Sequence, residues 1–555
     1  MNREREYPGE MTGEHHRNQD IARGLSKAAL HLAATGNMSA IEIAREAAAL
    51  HPEPQTLAAR CKVSLNLYDI DSLEESVAAA EAHGVSGGGL QALLADIRSG
   101  PLAVQALARR LSTRRRLAFQ PVPGRILYVL HKSLPDANDG YAMRSHGLAR
   151  GLLARGVDLV CVTRPGFPYD LHPGKGATPQ HDPIETVDGV GYHRLVSPMR
   201  SEFPASPCEH MMHGSLAYLE GAVTRLVELV GQNRPACVMA ASNLATALPA
   251  CLAARELGLP FVYEVRGFWD ITRASRDPAY PLATTGRQER FLEVATARAA
   301  ERVITLTDPM REELIAREVA PERITLAPNA CDPERFRPAS REDALVQRLR
   351  LPPHIPVIGY VGSFNRYEGL DDLVSACAIL RRRRLDFRLL LVGSEPADET
   401  GRFPVTEKIR LIAAREGLGD WLIMPGRVPH DEVSDWYSLI DVAPFPRKAL
   451  PVTELVSPLK PLEALAMAKA VAVSSVGGMQ GMVHHGQTGL VFAQDDVEAL
   501  VDALRMLLQD SEMRQGLGDA GRAWIIEHRS WQHTADDVLR ALGPLLSGQR
   551  VEETA

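Results

Sequence analysis

Short apolar segments alternate with helical segments twice along this chain, and this double alternation constrains the fold more than any other feature. The first series begins at Arg125, and the second follows Pro352-Pro353. Strands separated by helices of about 10–15 residues form a parallel sheet that is covered by helices. The sequence therefore predicts an α/β protein with two Rossmann-like doubly wound domains facing each other across a cleft, preceded by an all-α region. Ligands of such sheets bind beyond the carboxyl ends of the strands.

The predicted strands of the first series are Ile126–Leu130, Asp158–Thr163, Ala236–Ala240, Pro260–Val265, Arg302–Thr307 and Arg323–Ala327. Those of the second series are Val357–Val361, Phe387–Val392, Leu422–Met424, Val442–Phe445 and Ala470–Ser474. The predicted domains are residues 119–345 and 346–529. We expect a C-terminal helix at about 530–548 to pack back on the first domain.

The sequence before residue 119 lacks the alternation of strands and helices. Residues 1–20 are polar and predicted to be disordered, and residues 21–118 are alanine-rich and predicted to be helical. A weak repeat aligns Gly36 with Asp69, an offset of 33 residues that is close to the period of tetratricopeptide-type repeats. A generic helical bundle is the alternative. The polar segment Ser112–Arg116 and the prolines after it are interpreted as a linker.

Composition excludes several classes of function. The net charge is −7 and aromatic residues make up 5% of the chain, which argues against nucleic acid as the principal partner. The seven cysteines form no CxxC pair, as in a protein of a reducing compartment. The N-terminus has no apolar segment typical of a secretory signal. A cytoplasmic location is expected.

The stretch Val452–Gly489 is the most informative about function. Lys460 and Glu463 lie three residues apart where a turn becomes a helix, so their side chains share one face. The N-terminus of a helix also favours an anion. A cation for phosphate, a carboxylate for sugar hydroxyls and the bare backbone of Gly477 and Gly478 suit a sugar nucleotide. The alternative is a solvated ion pair followed by an ordinary turn.

The first domain offers candidates at two strand ends. The loop after the first strand lacks GxGxxG, which argues against a standard dinucleotide site. Gly140 in this loop would let the backbone approach a diphosphate, with Arg144 nearby. Arg266 and Trp269 follow another strand and suit hydroxyl binding and sugar stacking, and His146 is a third acceptor candidate. The alternatives are a surface arginine, a core tryptophan and a structural histidine.

The order of these motifs resembles that of GT-B glycosyltransferases, specifically the retaining group called family 4, or glycosyl transferases group 1. The resemblance covers about residues 125–545. The motifs that carry it are Gly140 with Arg144 and His146, Pro328–Asp332, Gly359–Ser363, Tyr367–Leu370, Phe387–Gly393, Pro425–Val428, Asp441–Pro446, Ser457–Glu463, Gly477-Gly478 and Gln487–Leu490.

The resemblance implies a nucleotide-diphosphate sugar, UDP- or GDP-linked, as donor, bound mainly by the second domain. A glycan or lipid-linked acceptor would bind the first domain. It also implies retention of configuration, no catalytic metal and no further cofactor. From this resemblance together with the residue patterns, we assign Lys460, Glu463 and Arg366 to catalysis. The residues assigned to the donor are Gly140, Arg144, Gly362, Ser363, Lys448, Ser457, Gly477 and Gly478, and those assigned to the acceptor are Arg266, Trp269 and His146.

The chain departs from the family pattern in its acidic residues. Two glutamates with seven residues between them are usual, whereas eight residues separate Glu454 from Glu463. The sequence is closer to the family variant S-x-P-x-K-x-x-E. Gly481 stands where a glutamate is usual.

It departs also in its phosphate-binding cations. Ser363 stands where an arginine is usual, and Glu368 stands where a lysine is usual. Arg366 and Lys448 are therefore the expected substitutes, in addition to Lys460.

Two alternatives to a transferase remain at this point. One is another enzyme on the same architecture, such as a sugar-nucleotide epimerase. The other is a degenerate transferase that acts as a scaffold and binds a protein partner through its helical N-terminus. The arginine run Arg381–Arg384 is interpreted as a solvated face, with peripheral contact with anionic lipid at the inner face of the membrane as the alternative.

Overall fold

The structure is a computed structural model of the 555-residue chain. It describes residues 10–84, 88–168, 183–195, 216–398 and 400–546. Within these ranges an all-helical region is followed by two α/β domains with parallel sheets. The predicted fold class is therefore confirmed.

Six helices form the N-terminal region: α1 (Glu10–Ala34), α2 (Ala40–Leu50), α3 (Pro54–Leu67), α4 (Ile70–Ala82), α5 (Gly88–Ile97) and α6 (Ala103–Arg110). Helix α1 begins inside the tail that was expected to be disordered. Its alanines pack against α2 and α3, and its Arg23 and Gln19 bond to the carboxylate of Glu53 at 2.7 and 3.1 Å. These contacts correct the expectation for residues 10–20, and residues 1–9 lie outside the described ranges.

The two copies of the weak repeat adopt equivalent structures. The first copy, residues 32–48, covers the end of α1 and most of α2, and the second, residues 65–81, covers the end of α3 and most of α4. Gly36 takes a left-handed conformation in the first turn (φ 79°), and Asp69 caps α4 in the second by accepting the N–H of Ser72 at 2.9 Å. The repeat thus marks two helix–turn–helix pairs, and a tetratricopeptide-type stacking stays a prediction.

The first α/β domain has a sheet in the order β3-β4-β2-β1-β5-β6-β7-β8. Its strands are β1 (Ile126–Leu130), β2 (Leu159–Thr163), β3 (Ile184–Val187), β4 (Val190–Arg194), β5 (Cys237–Ala241), β6 (Phe261–Glu264), β7 (Arg302–Thr305) and β8 (Ile324–Leu326). Its helices are α7 (Gly140–Ala154), α8 (Leu216–Asn233), α9 (Leu244–Leu257), α10 (Trp269–Ala274), α11 (Thr284–Ala299) and α12 (Asp308–Ala316). All its strand pairs are parallel except β3 with β4.

The helical region is attached to this domain rather than tethered by a free linker. Val104, Leu107 and Leu111, in and just after α6, belong to the same buried cluster as Leu127 and Val129 of β1. The segment after α6 is irregular, but its backbone bonds to the end of α9 through the N–H groups of residues 115 and 118. The domain boundary suggested at residue 118 therefore cuts through a shared core.

The second α/β domain has an all-parallel sheet in the order β11-β10-β9-β12-β13-β14. Its strands are β9 (Val357–Val361), β10 (Arg388–Val392), β11 (Leu422–Gly426), β12 (Val442–Phe445), β13 (Ala470–Ser474) and β14 (Leu490–Phe492). Its helices are α13 (Asp343–Leu349), α14 (Leu370–Arg382), α15 (Pro404–Arg415), α16 (Val433–Ser438), α17 (Pro451–Leu455), α18 (Lys460–Ala466), α19 (Val497–Gln509) and α20 (Ser511–His528).

The chain crosses between the domains twice, and the two crossings lie side by side. The N–H of Cys331 donates to the carbonyl of Arg529 at 2.8 Å. The last helix, α21 (Trp531–Leu546), then packs against α7, where side chains at Gly147 and Gly151 would overlap Trp531. Helix α21 therefore completes the core of the first domain although it follows the second domain in the chain.

Truncation can test whether α6 is part of the first domain. We expect a chain that begins at Ala103 to fold, and a chain that begins at Val122 to aggregate or to melt at a much lower temperature. The second truncation removes Val104, Leu107 and Leu111, each worth about 1.5–3 kcal/mol of buried apolar surface. Soluble yield and thermal melting of both chains give the measurement. Equal stability of the two would show that α6 is dispensable.

Candidate functional site

The candidate donor site lies at the carboxyl edge of the second sheet, where the strand order changes direction. From β9 the chain builds outward through β10 and β11, and then returns to place β12 on the other side of β9. The loops that leave β9 and β12 diverge at such a point and leave a crevice for a ligand. Helix α18, which carries Lys460 and Glu463, lies between β12 and β13 in the chain.

Lys460 is held across the loop that follows β9. Its Nζ donates to Glu368 Oε1 at 2.9 Å and lies 5.3 Å from the centre of the Tyr360 ring. The aliphatic part of Lys460 passes so close to Gly362 that a Cβ there would overlap it. Gly362 also has φ of +149°, which disfavours a side chain. This glycine is therefore required by the path of the lysine.

Glu463 is half-buried on the same helix as Lys460. Its Oε2 accepts a long hydrogen bond from Tyr437 OH at 3.4 Å. Burial raises the pKa of Glu463, although Lys460, Arg335 and Tyr437 partly oppose the shift. The protonated form of this carboxyl is therefore reached at a higher pH than for an ordinary carboxyl.

Gly477 and Gly478 begin a 3₁₀ turn after β13 and pack directly on α17 and the residues after it. Side chains here would meet the carbonyl oxygens of Thr453, Glu454 and Val456 at 2.5 Å or less. These close backbone contacts require glycine at both positions whether or not a ligand binds there.

Glu454 was noted in the sequence only for its spacing from Glu463, and the structure gives it a place in the site. Its Oε2 accepts the N–H of Gly477 at 2.6 Å. Its Oε1 is buried without a hydrogen-bond partner among the described residues. Such an unsatisfied acceptor beside a glycine turn can receive a ligand hydroxyl.

Other predicted donor contacts lie in different surroundings. Lys448 bonds to Asp371 at 2.9 Å and to Asp372 at 3.2 Å, and these acids raise its pKa although burial alone would lower it. Arg366 and Ser363 are exposed near the end of β9. The structure therefore does not place the charge of Lys448 beside that of Lys460 or give Arg366 a fixed position.

Ser457 connects the site to the first domain. Both its carbonyl oxygen and its Oγ accept from Asn329 Nδ2, at 2.9 and 3.1 Å. A second link joins Thr307 Oγ1 to the carbonyl of Leu455 at 2.7 Å. Gly140 faces the same region, because a Cβ at this position would lie 3.8 Å from the Leu459 side chain. The start of α7 and the Lys460 segment are thus neighbours across the domain boundary.

Arg144 and Arg266 are buried in the first domain, and both bind Glu264 at the end of β6. Arg144 Nε donates to Oε1 at 2.8 Å, and Arg266 Nη2 donates to Oε2 at 2.8 Å. Burial alone would raise the pKa of Glu264, but the two arginines lower it to about 2. Arg144 also donates to the carbonyls of Ala327 and Pro328.

This cluster gives both arginines structural partners inside the first domain, and the ligand contacts expected of them stay predictions. Arg144 is only 2% exposed and Arg266 only 7%. Their guanidinium groups hold the end of β6, helix α7 and the start of the interdomain crossing together. The alternative of a solvated surface arginine is wrong, since Arg144 is in the core.

Of the two remaining acceptor candidates, His146 is buried and Trp269 is half-buried. His146 is buried between Tyr192 OH at 2.8 Å and Asp188 Oδ2 at 3.1 Å, and burial lowers its pKa although Asp188 opposes the shift. This histidine is an internal contact of the first domain. Trp269 is half-buried, with its ring 6.0 Å from that of His131, whereas its neighbour Phe268 is the one in the core.

Sequence reasoning missed Arg447 and noted Glu368 only as the residue that stands where a lysine is usual. Arg447 follows β12, is 4% exposed, and has its Nε 3.8 Å from Glu368 Oε2. Glu368 is itself buried between Arg447 and Lys460. The available signal was the position of Arg447 just after a buried strand that adjoins the strand-order reversal.

Over the described ranges the structure has neither a candidate metal centre nor a membrane-spanning helix. No group of three His, Cys, Asp or Glu side chains there could hold a metal ion. No helix in those ranges is both long enough and apolar enough to span a bilayer. In the run Arg381–Arg384, Arg382 pairs with Glu416 and Arg383 with Glu498, so this surface carries both signs of charge.

Comparison with known proteins identifies both α/β domains. A family profile described as glycosyl transferase 4-like domain matches residues 139–330, and one described as glycosyl transferases group 1 matches residues 355–510. Together they span well over half of the chain. The chain belongs to the group 1 glycosyltransferases.

Curated relatives and solved structures agree with this assignment. D-inositol 3-phosphate glycosyltransferase 1 of Catenulispora acidiphila is 26% identical over 68% of this chain and 86% of its own length. Alpha-maltose-1-phosphate synthase of Mycolicibacterium smegmatis is 26% identical over 67% and 96%. Sucrose-phosphate synthase of Thermosynechococcus elongatus has the same fold, with a TM-score of 0.60, 22% identity and coverage of 76% and 99%. Anabaena HepE, solved with UDP-glucose, has a TM-score of 0.55, 14% identity and the same coverage.

The structural role of Arg144 gives a testable difference within one helix. Arg144→Gln should lower the free energy of unfolding by about 3–5 kcal/mol, because it breaks a buried ion pair. Arg150→Gln is the matched control, since Arg150 is also on α7 but pairs with Asp332 at the surface, and should cost less than about 1 kcal/mol. Urea unfolding at neutral pH measures the free energy of unfolding of both variants and of the wild type. If Arg144→Gln is as stable as the control and only donor binding suffers, Arg144 is a ligand contact.

Proposed function

We propose that this glycosyltransferase moves a sugar from a nucleotide-diphosphate sugar, UDP- or GDP-linked, to a hydroxyl of a glycan or lipid-linked glycan. The observation that carries the proposal is the placement of Lys460, Glu463 and the Gly477-Gly478 turn around the crevice at the carboxyl edge of the second sheet. Gly140 of the first domain lies beside the same segment. The donor would bind mostly on the second domain, with the acceptor approaching from the first.

Each group in this crevice suits one part of such a donor. Lys460 supplies a positive charge for the diphosphate, and Glu463 offers oxygens to hydroxyls of the ribose. Glu454 has a free oxygen beside the glycine turn and suits a sugar hydroxyl. Trp269, half-buried at the end of β6, is the remaining candidate for stacking on an acceptor sugar.

We propose that transfer retains the configuration of the anomeric carbon and needs no metal ion. Both properties are those of the family that the chain belongs to. Within the described ranges we identify no side chain as an enzymic nucleophile, and we propose that the acceptor hydroxyl attacks on the face from which the diphosphate departs. Lys460 would stabilise the charge that builds on the leaving phosphate. The departing phosphate would itself take the acceptor proton, while closure of the domains positions the hydroxyl.

A donor screen tests the proposal as a whole. The protein should be stabilised against thermal unfolding by at least one of the UDP-, GDP-, ADP- or TDP-sugars, and should transfer or hydrolyse that donor. The product should carry the anomeric configuration of the donor, as read by NMR, and activity should survive EDTA. An inverted product, or activity that EDTA abolishes and Mn²⁺ or Mg²⁺ restores, would contradict the corresponding part of the proposal.

Lys460 should act mainly on the rate of the chemical step. Its charge matters more in the transition state than in the ground state, so Lys460→Ala should lower kcat by about a hundredfold, or ~3 kcal/mol. Lys408→Ala is the matched control, because Lys408 is an exposed lysine of the same domain that pairs with Asp371. Steady-state kinetics with melting curves give the measurement. A kcat within twofold of wild type would show that Lys460 is only the partner of Glu368.

Glu463 should act mainly on donor binding. Hydrogen bonds to donor hydroxyls persist through the reaction, so Glu463→Gln should weaken donor binding by about 1–2 kcal/mol. This loss should appear as a higher donor KM with little change in kcat. Because burial raises the pKa of Glu463, wild-type donor affinity should fall with decreasing pH sooner than for an ordinary carboxyl. The variant should lose that pH dependence. A KM that responds to pH equally in both proteins would assign the titration to another group.

A further inference from the structure

Arg447 occupies the position in the second domain where the strand order reverses. It lies two residues after β12, which adjoins β9, and the loop after β9 carries Gly362 and Glu368. Ligands of doubly wound sheets bind in the crevice between two such diverging loops. The arginine is therefore at the ligand end of the sheet, although it matches none of the motifs that carry the family resemblance.

The hydrogen bonds of Arg447 are incomplete. Its Nη1 donates to the carbonyl of Val456 at 2.8 Å, and its guanidinium lies 5.3 Å from the centre of the Tyr367 ring. Its Nε is buried and has no hydrogen-bond partner in the described part of the chain. A buried guanidinium N–H without an acceptor costs free energy, and an acceptor on a ligand or a water would remove that cost.

Glu368 faces Arg447 with an unsatisfied oxygen of its own. The distance from Arg447 Nε to Glu368 Oε2 is 3.8 Å, too long for a hydrogen bond. The other oxygen of Glu368 accepts from Lys460. Burial alone would raise the pKa of Glu368, but Lys460 and Arg447 lower it, so this group is a carboxylate. Two cations thus share one anion, and the cluster keeps one net positive charge.

We propose that Arg447 is, with Lys460, a cation that binds the donor's diphosphate, and that the diphosphate competes with Glu368 for both of them. The proposal rests on the proposed function. The usual arginine after β9 is replaced by the exposed Ser363, and Lys448, the sequence-based substitute, is occupied by Asp371 and Asp372. Arg447 supplies the missing charge from the neighbouring strand, and Glu368 fixes the spacing of the two cations.

Nucleotide binding by the full-length protein tests this. Calorimetry measures the dissociation constants of a nucleoside diphosphate and of the corresponding monophosphate. Both nucleotides carry the base of the donor that the wild type accepts. Arg447→Gln should weaken diphosphate binding by roughly 10- to 100-fold, as expected for loss of a hydrogen bond to a charged group, and monophosphate binding by much less. Arg447→Lys should recover part of the preference. Arg383→Gln, which removes a surface arginine paired with Glu498, is the matched control and should change neither constant.

Glu368→Gln should change the affinity for diphosphate in the opposite direction to Arg447→Gln. It raises the net charge of the cluster, so diphosphate should bind more tightly than to the wild type, even if the protein melts at a lower temperature. An unchanged preference of Arg447→Gln for diphosphate, or an equal loss for both nucleotides, overturns the role of Arg447. Weaker diphosphate binding by Glu368→Gln overturns the competition with phosphate. If the wild type binds no nucleoside diphosphate and turns over no donor, the proposed function itself is wrong.

Discussion

The buried ion pairs of the Glu264 carboxylate with Arg144 and Arg266 are the interactions on which the placement of the two domains depends. This carboxylate holds Arg144 and Arg266 in the core of the first domain, and Arg144 in turn binds the carbonyls at the start of the interdomain crossing. The next residue along, Asn329, bonds to Ser457 three residues before Lys460. One buried anion thus fixes a continuous set of contacts from β6 to the donor-binding segment. A buried carboxylate with two cationic partners is costly to disrupt, so the relative placement of the two domains is coupled to the stability of the first.

The sequence predicted most of the fold because the buried strands of a parallel sheet are short uninterrupted apolar runs. β1, β9, β12 and β13 have the bounds that their sequence predicts. The hairpin β3–β4 was missed although Asp188-Gly189 between two valines is a hairpin signal; its first strand alternates between exposed and half-buried residues and lacks a continuous apolar run. Helix α6 shares a buried cluster with β1 although the predicted boundary lies after it, because periodicity shows that a helix has an apolar face, but not which core that face enters.

The candidate site was predictable only where a local pattern determines the contact. Lys460 and Glu463 share a helix, and Gly477-Gly478 follow a buried strand, so spacing alone placed them at the sheet edge. Arg144 and Arg266 could not be assigned in this way, because their partner Glu264 is on another element and a charged side chain in sequence gives no sign of burial. His146 is similar, since its partners Tyr192 and Asp188 lie on the missed hairpin and the turn within it.

The departures from the family pattern acquire a different meaning in three dimensions. Counted position by position, Ser363 and Glu368 remove two positive charges from the phosphate site, and the chain resembles a weakened enzyme. A diphosphate, however, responds to the net charge and the donors around it, whichever strand supplies them. Arg447 follows β12 and lies beside Glu368, which is therefore between two cations rather than alone. Gly481 follows the same logic: its φ of +69° disfavours any side chain, so a glutamate here would require a different turn. Glu454, which accepts the N–H of Gly477, keeps its other oxygen unsatisfied within the described ranges. With Arg447 in its proposed role, the substitutions form one coordinated rearrangement of charge, which is the pattern expected of a site adapted to its own donor.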